Sequence, residues 1–152
     1  MGLRREFPTN RLDLLDMIEQ SRYGEARLCN NTTAERAHED GVLPYHSDVI
    51  VRYHGHPIVT LHHDQSVTLN DCGWRTSTTK ERLNLFAPHD VGIWQHQRVW
   101  YYRTFDNGVP QPWQGRHRFD RGGNEWEPTC ETCGVWLGDP NHRDVHGHLL
   151  NA

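Results

Sequence analysis

The chain has 152 residues, enough for one domain with small appendages. Apolar residues make up 35%, a low share that six Trp, five Tyr and four Phe partly offset; no run approaches the roughly 20 apolar residues of a membrane helix. Net charge is -4, which argues against non-specific coating of duplex DNA, and MGLRREFPTN lacks the apolar stretch of a secretory signal, so a soluble intracellular protein with no membrane partner is expected.

Pro8-Thr9-Asn10 opens the first element, with Asn10 as the cap and Leu12, Leu15 and Ile18 at helical spacing up to Ser21. Tyr23-Gly24 ends it. A helix of about three turns is not stable alone, so its apolar face is expected to dock on a sheet. Arg27–Thr33 reads as a loop or short edge strand, and Ala34–Gly41 as a polar connection. Three alternating segments then follow, Asp48–Tyr53, Pro57–His62 and Ser66–Asn70, separated by Gly55 and Asp64 and closed by Gly73. That is the pattern of an antiparallel meander. A short helix is expected from Ser77 or Thr78 to Phe86, stopped by Pro88. Val91–Thr104 reads as a hairpin turning near His96–Arg98, rich in β-prone aromatics. After the Asp106-Asn107-Gly108 turn, residues 109–124 are loop with one short strand around Arg116–Phe119. The fold class is therefore α+β: five or six short strands in an antiparallel sheet, open or closed into a small barrel, with an N-terminal helix and one short helix after strand three. The organisation is an N-terminal helix over 1–26, a β core with the short helix over 27–121, and a Cys/His tail over 122–152.

Cys130-Glu131-Thr132-Cys133-Gly134 is the most specific local motif. Two thiolates on a tight turn suit one metal ion, and His142, His146 and His148 follow closely. Cys130, Cys133, His142 and His146 would complete a tetrahedral zinc knuckle, with His148 an alternative to either histidine. The spacing Cys-x2-Cys-x8-His-x3-His is too short for a DNA-reading finger. A redox pair is disfavoured because Gly134 and Pro140 leave no helix after the motif. Zinc is thus the expected cofactor, in a structural role. Cys29 and Cys72 read as small buried apolar residues.

His54, His56, His62, His63 and Asp64 cluster at the first two meander turns. They read as exposed hairpin histidines; a His-based metal-dependent nuclease or hydrolase is the catalytic alternative. No G-x-S-x-G, phosphate-binding glycine loop or G-x-G-x-x-G is present, so no small-molecule cofactor is expected.

The middle of the chain is basic: residues 75–121 hold eight Arg/Lys against four Asp/Glu, whereas 1–74 hold seven against eleven and 122–152 one against five. A solvated sheet face would look the same. As a binding face it would offer Arg75, Lys80, Arg82, Arg98, Arg103, Arg116 and Arg118 to phosphates or an acidic protein patch. Trp74 stands beside the first three. It reads as a core aromatic closing the sheet in preference to a base-stacking contact.

The run Val67-Thr68-Leu69-Asn70, Gly73-Trp74-Arg75-Thr76, Thr78-Thr79-Lys80 and Arg82-Leu83-Asn84 resembles a family of small uncharacterised proteins from tailed phages of actinobacteria. The likeness extends through Asn30-Asn31-Thr32, His54-Gly55, Ile58-Val59-Thr60 and Trp100-Tyr101, covering roughly residues 28–102. That family usually has Gly where this chain has Cys72, and neither the N-terminal helix nor the Cys/His tail belongs to its pattern. The resemblance implies phage origin, a host-cell cytoplasmic setting and no established activity or catalytic residues; the Arg-heavy composition fits a GC-rich host. The leading expectation is a non-enzymatic accessory protein, a zinc-stabilised module contacting nucleic acid or a host nucleoprotein. A modulator of a host protein is the first alternative and the hydrolase the second.

Overall fold

Asn10 starts the first element because its side-chain oxygen accepts the Asp13 amide at 2.9 Å, satisfying a donor the first turn would otherwise orphan. The resulting helix α1 spans Arg11–Glu19 and buries Leu14, Leu15 and Ile18, leaving Leu12 exposed. The structure is a computed structural model describing residues 7–38 and 41–127. Beyond α1 it contains β1 (Glu25–Cys29), β2 (Thr32–Arg36), a 3-10 turn at Pro44–His46, β3 (Val49–Tyr53), β4 (His56–Leu61) and β5 (Val67–Asn70). Helix α2 (Ser77–Phe86), β6 (Gly92–His96), β7 (Val99–Arg103), β8 (Gln111–Pro112) and β9 (Arg116–Phe119) follow.

Two antiparallel sheets form, one in the order β1-β2-β3-β4-β5-β9 and one in the order β6-β7-β8. Directly opposed residues share a face, so the registers define the core. One row is Val49, Leu61, Val67 and Phe119; the next is Val51, Val59, Leu69 and His117. Helix α1 covers β1–β3, α2 covers β4 and β5, and the small sheet supplies Trp100 and Tyr102. Tyr102 packs on Phe119 and His117 at ring separations of 5.7 and 4.4 Å, fastening the small sheet to the β9 end of the large one.

A bulge in β4 departs from strict alternation. Val51 faces Val59 while Arg52 faces Pro57, leaving Ile58 as the extra residue, and both Ile58 and Val59 are buried.

Two expectations need correction. The described residues hold nine strands, not five or six. Most of the excess is β1 and β2: Arg27–Thr33 read as a loop or short edge strand, and β1 is that edge strand, whereas a polar connection was expected from Ala34 where β2 runs. Thr32–Arg36 carries little apolar patterning, but β2 is paired on both sides and buries Ala34 against Val51. The large sheet is open, not a barrel: β1 and β9 lie at its ends and do not pair with each other. The zinc-knuckle residues Cys130, Cys133, His142 and His146 lie outside the described residues. Helix α2 begins at Ser77, one of the two expected starts, and is capped by Thr76, whose hydroxyl accepts the Thr79 amide at 3.1 Å.

Candidate functional site

Two tight turns build the site. Between β3 and β4, His54 and Gly55 have φ of 50° and 80°, the double left-handed pair of a two-residue hairpin, so Tyr53 and His56 face one another. After β5, Asp71-Cys72-Gly73-Trp74 makes a second such turn, with Cys72 at φ 52° and Gly73 at 83°, and the Trp74 amide donates to the Asp71 carbonyl at 2.8 Å. The left-handed backbone at Cys72 is one that glycine adopts without strain.

Asp71 holds the second turn. It is 3% exposed, and its Oδ1 accepts the Gly73 amide at 2.7 Å. Its Oδ2 accepts Arg75 Nε at 3.0 Å and the Trp113 indole N–H at 2.9 Å. The Asp71 amide donates to Gly115 O at 2.9 Å. One buried carboxylate thus ties the entry to α2 onto the segment before β9.

The outcome is an aromatic cleft of about 390 Å³. Tyr53, His54, His56 and Ile58 form one side, and Trp74, Thr76 and Thr79 the other. Trp74 is 55% exposed, its ring 5.6 Å from that of His56. The reading of Trp74 as a core aromatic is therefore wrong. Trp100, 2% exposed, fills that role, with Arg75 and Lys80 lying over its ring at 6.0 and 5.7 Å. Tyr53 attracted no notice in the sequence; the signal for it is the His54-Gly55 pair, which marks a two-residue turn with Tyr53 at its base.

The seven basic residues do not converge. Arg82 is 5% exposed, donates to Thr32 Oγ1 at 2.9 Å and lies 5.2 Å from the centre of the Tyr53 ring, bracing the cleft from within. Arg98 sits exposed in the β6–β7 turn at φ 68°, and Arg103 is exposed at the end of β7. Arg116 and Arg118 alternate with His117 and Phe119, so they lie on the sheet face opposite α2. Arg118 donates to Ser66 Oγ at 2.8 Å and Asp64 Oδ2 at 3.1 Å, and stacks 3.6 Å from the Trp126 ring centre. Of the seven, Arg75, Lys80 and Arg82 belong to the segment that also carries Trp74.

The hairpin histidines part company. His63 is exposed, and His54 and His56 line the cleft. His62 is not an exposed histidine: Nδ1 faces Asp48 Oδ2 at 3.1 Å and Nε2 faces Thr68 Oγ1 at 2.7 Å. With an ionised Asp48 the Nδ1 proton is the donor, and Thr68 donates to Nε2. Burial, then the Arg118 charge, push the His62 pKa below its ordinary value against the opposing pull of Asp48 and Asp64. His117 is likewise lowered, chiefly by burial, against the pull of Glu125 and Asp71. Its Nε2 accepts the Gln114 amide at 3.0 Å, which fixes the neutral Nδ1–H tautomer. Both histidines hold their protons less tightly in the folded chain, so the unfolded chain binds more protons as pH falls through its histidine pKa of about 6.5. Stability contributed by this pair is complete above that pH and is lost as pH falls through it toward the folded values. Urea midpoints measured from pH 7.5 to 5 should fall, and His117→Phe should flatten the slope; an unchanged slope in that variant contradicts the assignment.

Among the described residues no group of three or more His, Cys, Asp or Glu is placed to hold a metal ion. Cys29 and Cys72 are free and half-buried.

With the geometry in place, comparison with known proteins decides the family. The model of the Kyanoviridae Gp96 protein matches residues 15–124, more than two thirds of the chain. The chain belongs to the Kyanoviridae Gp96 protein family. It is a phage protein family of unknown function, and the match takes in both sheets, α2 and the cleft. The matched residues begin within α1. No curated protein and no solved structure matches the chain.

Proposed function

We propose that the protein is a non-enzymatic phage accessory module that holds single-stranded nucleic acid, acting in the cytoplasm of the host cell. The observation that carries this reading is Trp74, a large aromatic set out on a rigid turn beside a cleft walled by Tyr53, His54 and His56. Every base has a π-face, so such a cleft takes unpaired bases with little sequence preference. A duplex keeps its bases stacked, so their π-faces are withheld from such a cleft. The intramolecular engagement of Arg82, Arg118 and, through Nε, Arg75 supports a contact led by stacking, with Lys80 and the exposed side of Arg75 as the nearby charges.

Fluorescence anisotropy with short labelled single strands tests it. Trp74→Ala should weaken binding about tenfold or more, from the ~1–3 kcal/mol of one stacked base, and Trp74→Phe should recover most of the loss. With one or two phosphates engaged, the slope of log affinity against log salt should be shallow, about -1. Failure of single-stranded DNA and RNA to bind at low salt overturns the reading.

Zinc on Cys130, Cys133, His142 and His146 is part of the same proposal and rests on their spacing alone. Purified protein is expected to carry one zinc per chain by elemental analysis, and Cys130→Ser to lose it. Metal-free protein as isolated, with Cys130→Ser as stable as wild type, removes zinc from the account. An actinobacterial host, implied by the resemblance, fits the arginine-rich composition. A second reading, modulation of a host protein, draws on the exposed Leu12, Leu43 and Tyr45; Arg11 on α1 donates to Tyr45 O at 2.8 Å.

A further inference from the structure

A second hollow, of about 530 Å³, opens where the start of α1, the β4–β5 turn and the end of α2 meet. It shares no lining residue with the aromatic cleft. Leu61, Val67 and Phe86 line it with buried apolar side chains. Arg11 and Arg121 are the charged side chains that line it, and no carboxylate does, in a chain with 20 acidic residues against 16 basic.

The state of the charged and imidazole groups matters. Arg11 spends Nη1 on the carbonyls of Tyr45 and Ser47 at 2.8 and 2.9 Å, which anchors the guanidinium and leaves its other N–H donors. Arg121 is exposed and makes no hydrogen bond or ion pair with another described residue. His62 also lines the hollow, but both its ring nitrogens are committed to Asp48 and Thr68. The carboxyl end of α2 brings a partial negative charge of about one half. Two full guanidinium charges outweigh it.

Half of the lining is apolar, Thr9, Asn10, Gln65 and Ser66 add neutral polar groups, and the full charges are cationic; with a volume in the range of small-ligand sites, this mixture suits an amphiphile with an anionic head. We infer that this hollow binds a small amphiphilic acid, its apolar body on Leu61, Val67 and Phe86 and its single anionic head against Arg11 and Arg121. The occupant is a free small molecule with one carboxylate or sulfonate, because a compact inorganic anion would leave the buried Leu61, Val67 and Phe86 uncovered and the charges give nothing to a neutral hydrocarbon.

The test is titration of the full chain with anilinonaphthalene sulfonate, an aromatic body bearing one sulfonate, followed by displacement. Saturable one-to-one binding is expected, reversed by octanoate and not by octanol at the same concentration. Arg121→Ala should weaken it about tenfold, as loss of a charged hydrogen bond does, and Arg121→Glu should weaken it further. Trp74→Ala should leave it unchanged, which separates this site from the aromatic cleft. Absence of saturable binding, equal displacement by octanol, or wild-type affinity in both Arg121 variants overturns the inference. The octanoate–octanol comparison uses wild-type protein and stands whether or not the variants fold.

Discussion

Replacing Asp71 with alanine is expected to lower stability by about 3–5 kcal/mol. Three donors lose their acceptor at once: the Gly73 amide, the Trp113 indole N–H and Arg75 Nε. Arg75 is 45% exposed and regains water, so its share is small. The cost falls chiefly on the buried indole, an orphaned donor costing ~1–3 kcal/mol, together with the cavity left behind and a smaller share from the half-buried turn amide. Asp71→Asn keeps the volume and one acceptor oxygen, but its amide nitrogen would meet the donors now paired to Oδ2. It should recover part of the loss and no more. Urea denaturation gives the value, and Trp113→Phe in a double-mutant cycle isolates the indole bond. Because the same carboxylate holds the turn that carries Trp74, Asp71→Ala should also weaken single-strand binding under conditions where the variant is still folded. A loss under 1 kcal/mol would show that the turn holds itself.

Gly123→Ala is expected to cost about 3 kcal/mol. A Cβ at this position would lie 2.1 Å from the backbone oxygen of His89 and 3.3 Å from Cβ of Phe105. The backbone is also left-handed, at φ 87°. The conformation alone costs an L-residue roughly 1–2 kcal/mol and overpacking typically another 1–3. Little can yield, since the Gly123 carbonyl accepts the Phe105 amide at 2.9 Å and its amide donates to Asp120 O at 3.1 Å. Gly122→Ala is the control. Its nearest neighbour would be a side-chain oxygen of Asp120 at 3.4 Å and its φ is not in the left-handed range, so less than about 1 kcal/mol is expected. For a chain of this size the contrast is about 6 °C in melting temperature at least. Equal melting of the two variants would mean the His89 loop moves freely. The position matters beyond itself. This turn returns the chain so that Glu125 accepts the Tyr102 hydroxyl, and burial together with that bond raises the Tyr102 pKa and keeps the phenol protonated.

The sequence by itself determined what depends on neighbours a few residues apart. Asn10 with Asp13 announced α1, and alternation in Val49–Tyr53 and Val67–Asn70 announced strands, because caps and pleats are set locally. The hairpin turning near His96–Arg98 was legible for the same reason: the β6–β7 turn is Gln97-Arg98, both at positive φ. Strand β2 was not, because Thr32–Arg36 becomes a strand through partners on either side and not through its own pattern. The roles of the aromatics and arginines were also tertiary. Trp74 and Trp100 are the same residue type in comparable company, yet one sits on a turn facing water and the other lies beneath Arg75 and Lys80 inside the core. Arg82 looked like part of a basic face and is spent on Thr32, fifty positions away. His62 looked like an exposed turn histidine and is committed to Asp48 and Thr68 across two strand pairings. Local sequence fixes which way a backbone turns; which side chains then meet is decided by register and by the β5–β9 closure, and the aromatic cleft exists only because two turns from separate strands arrive at one edge.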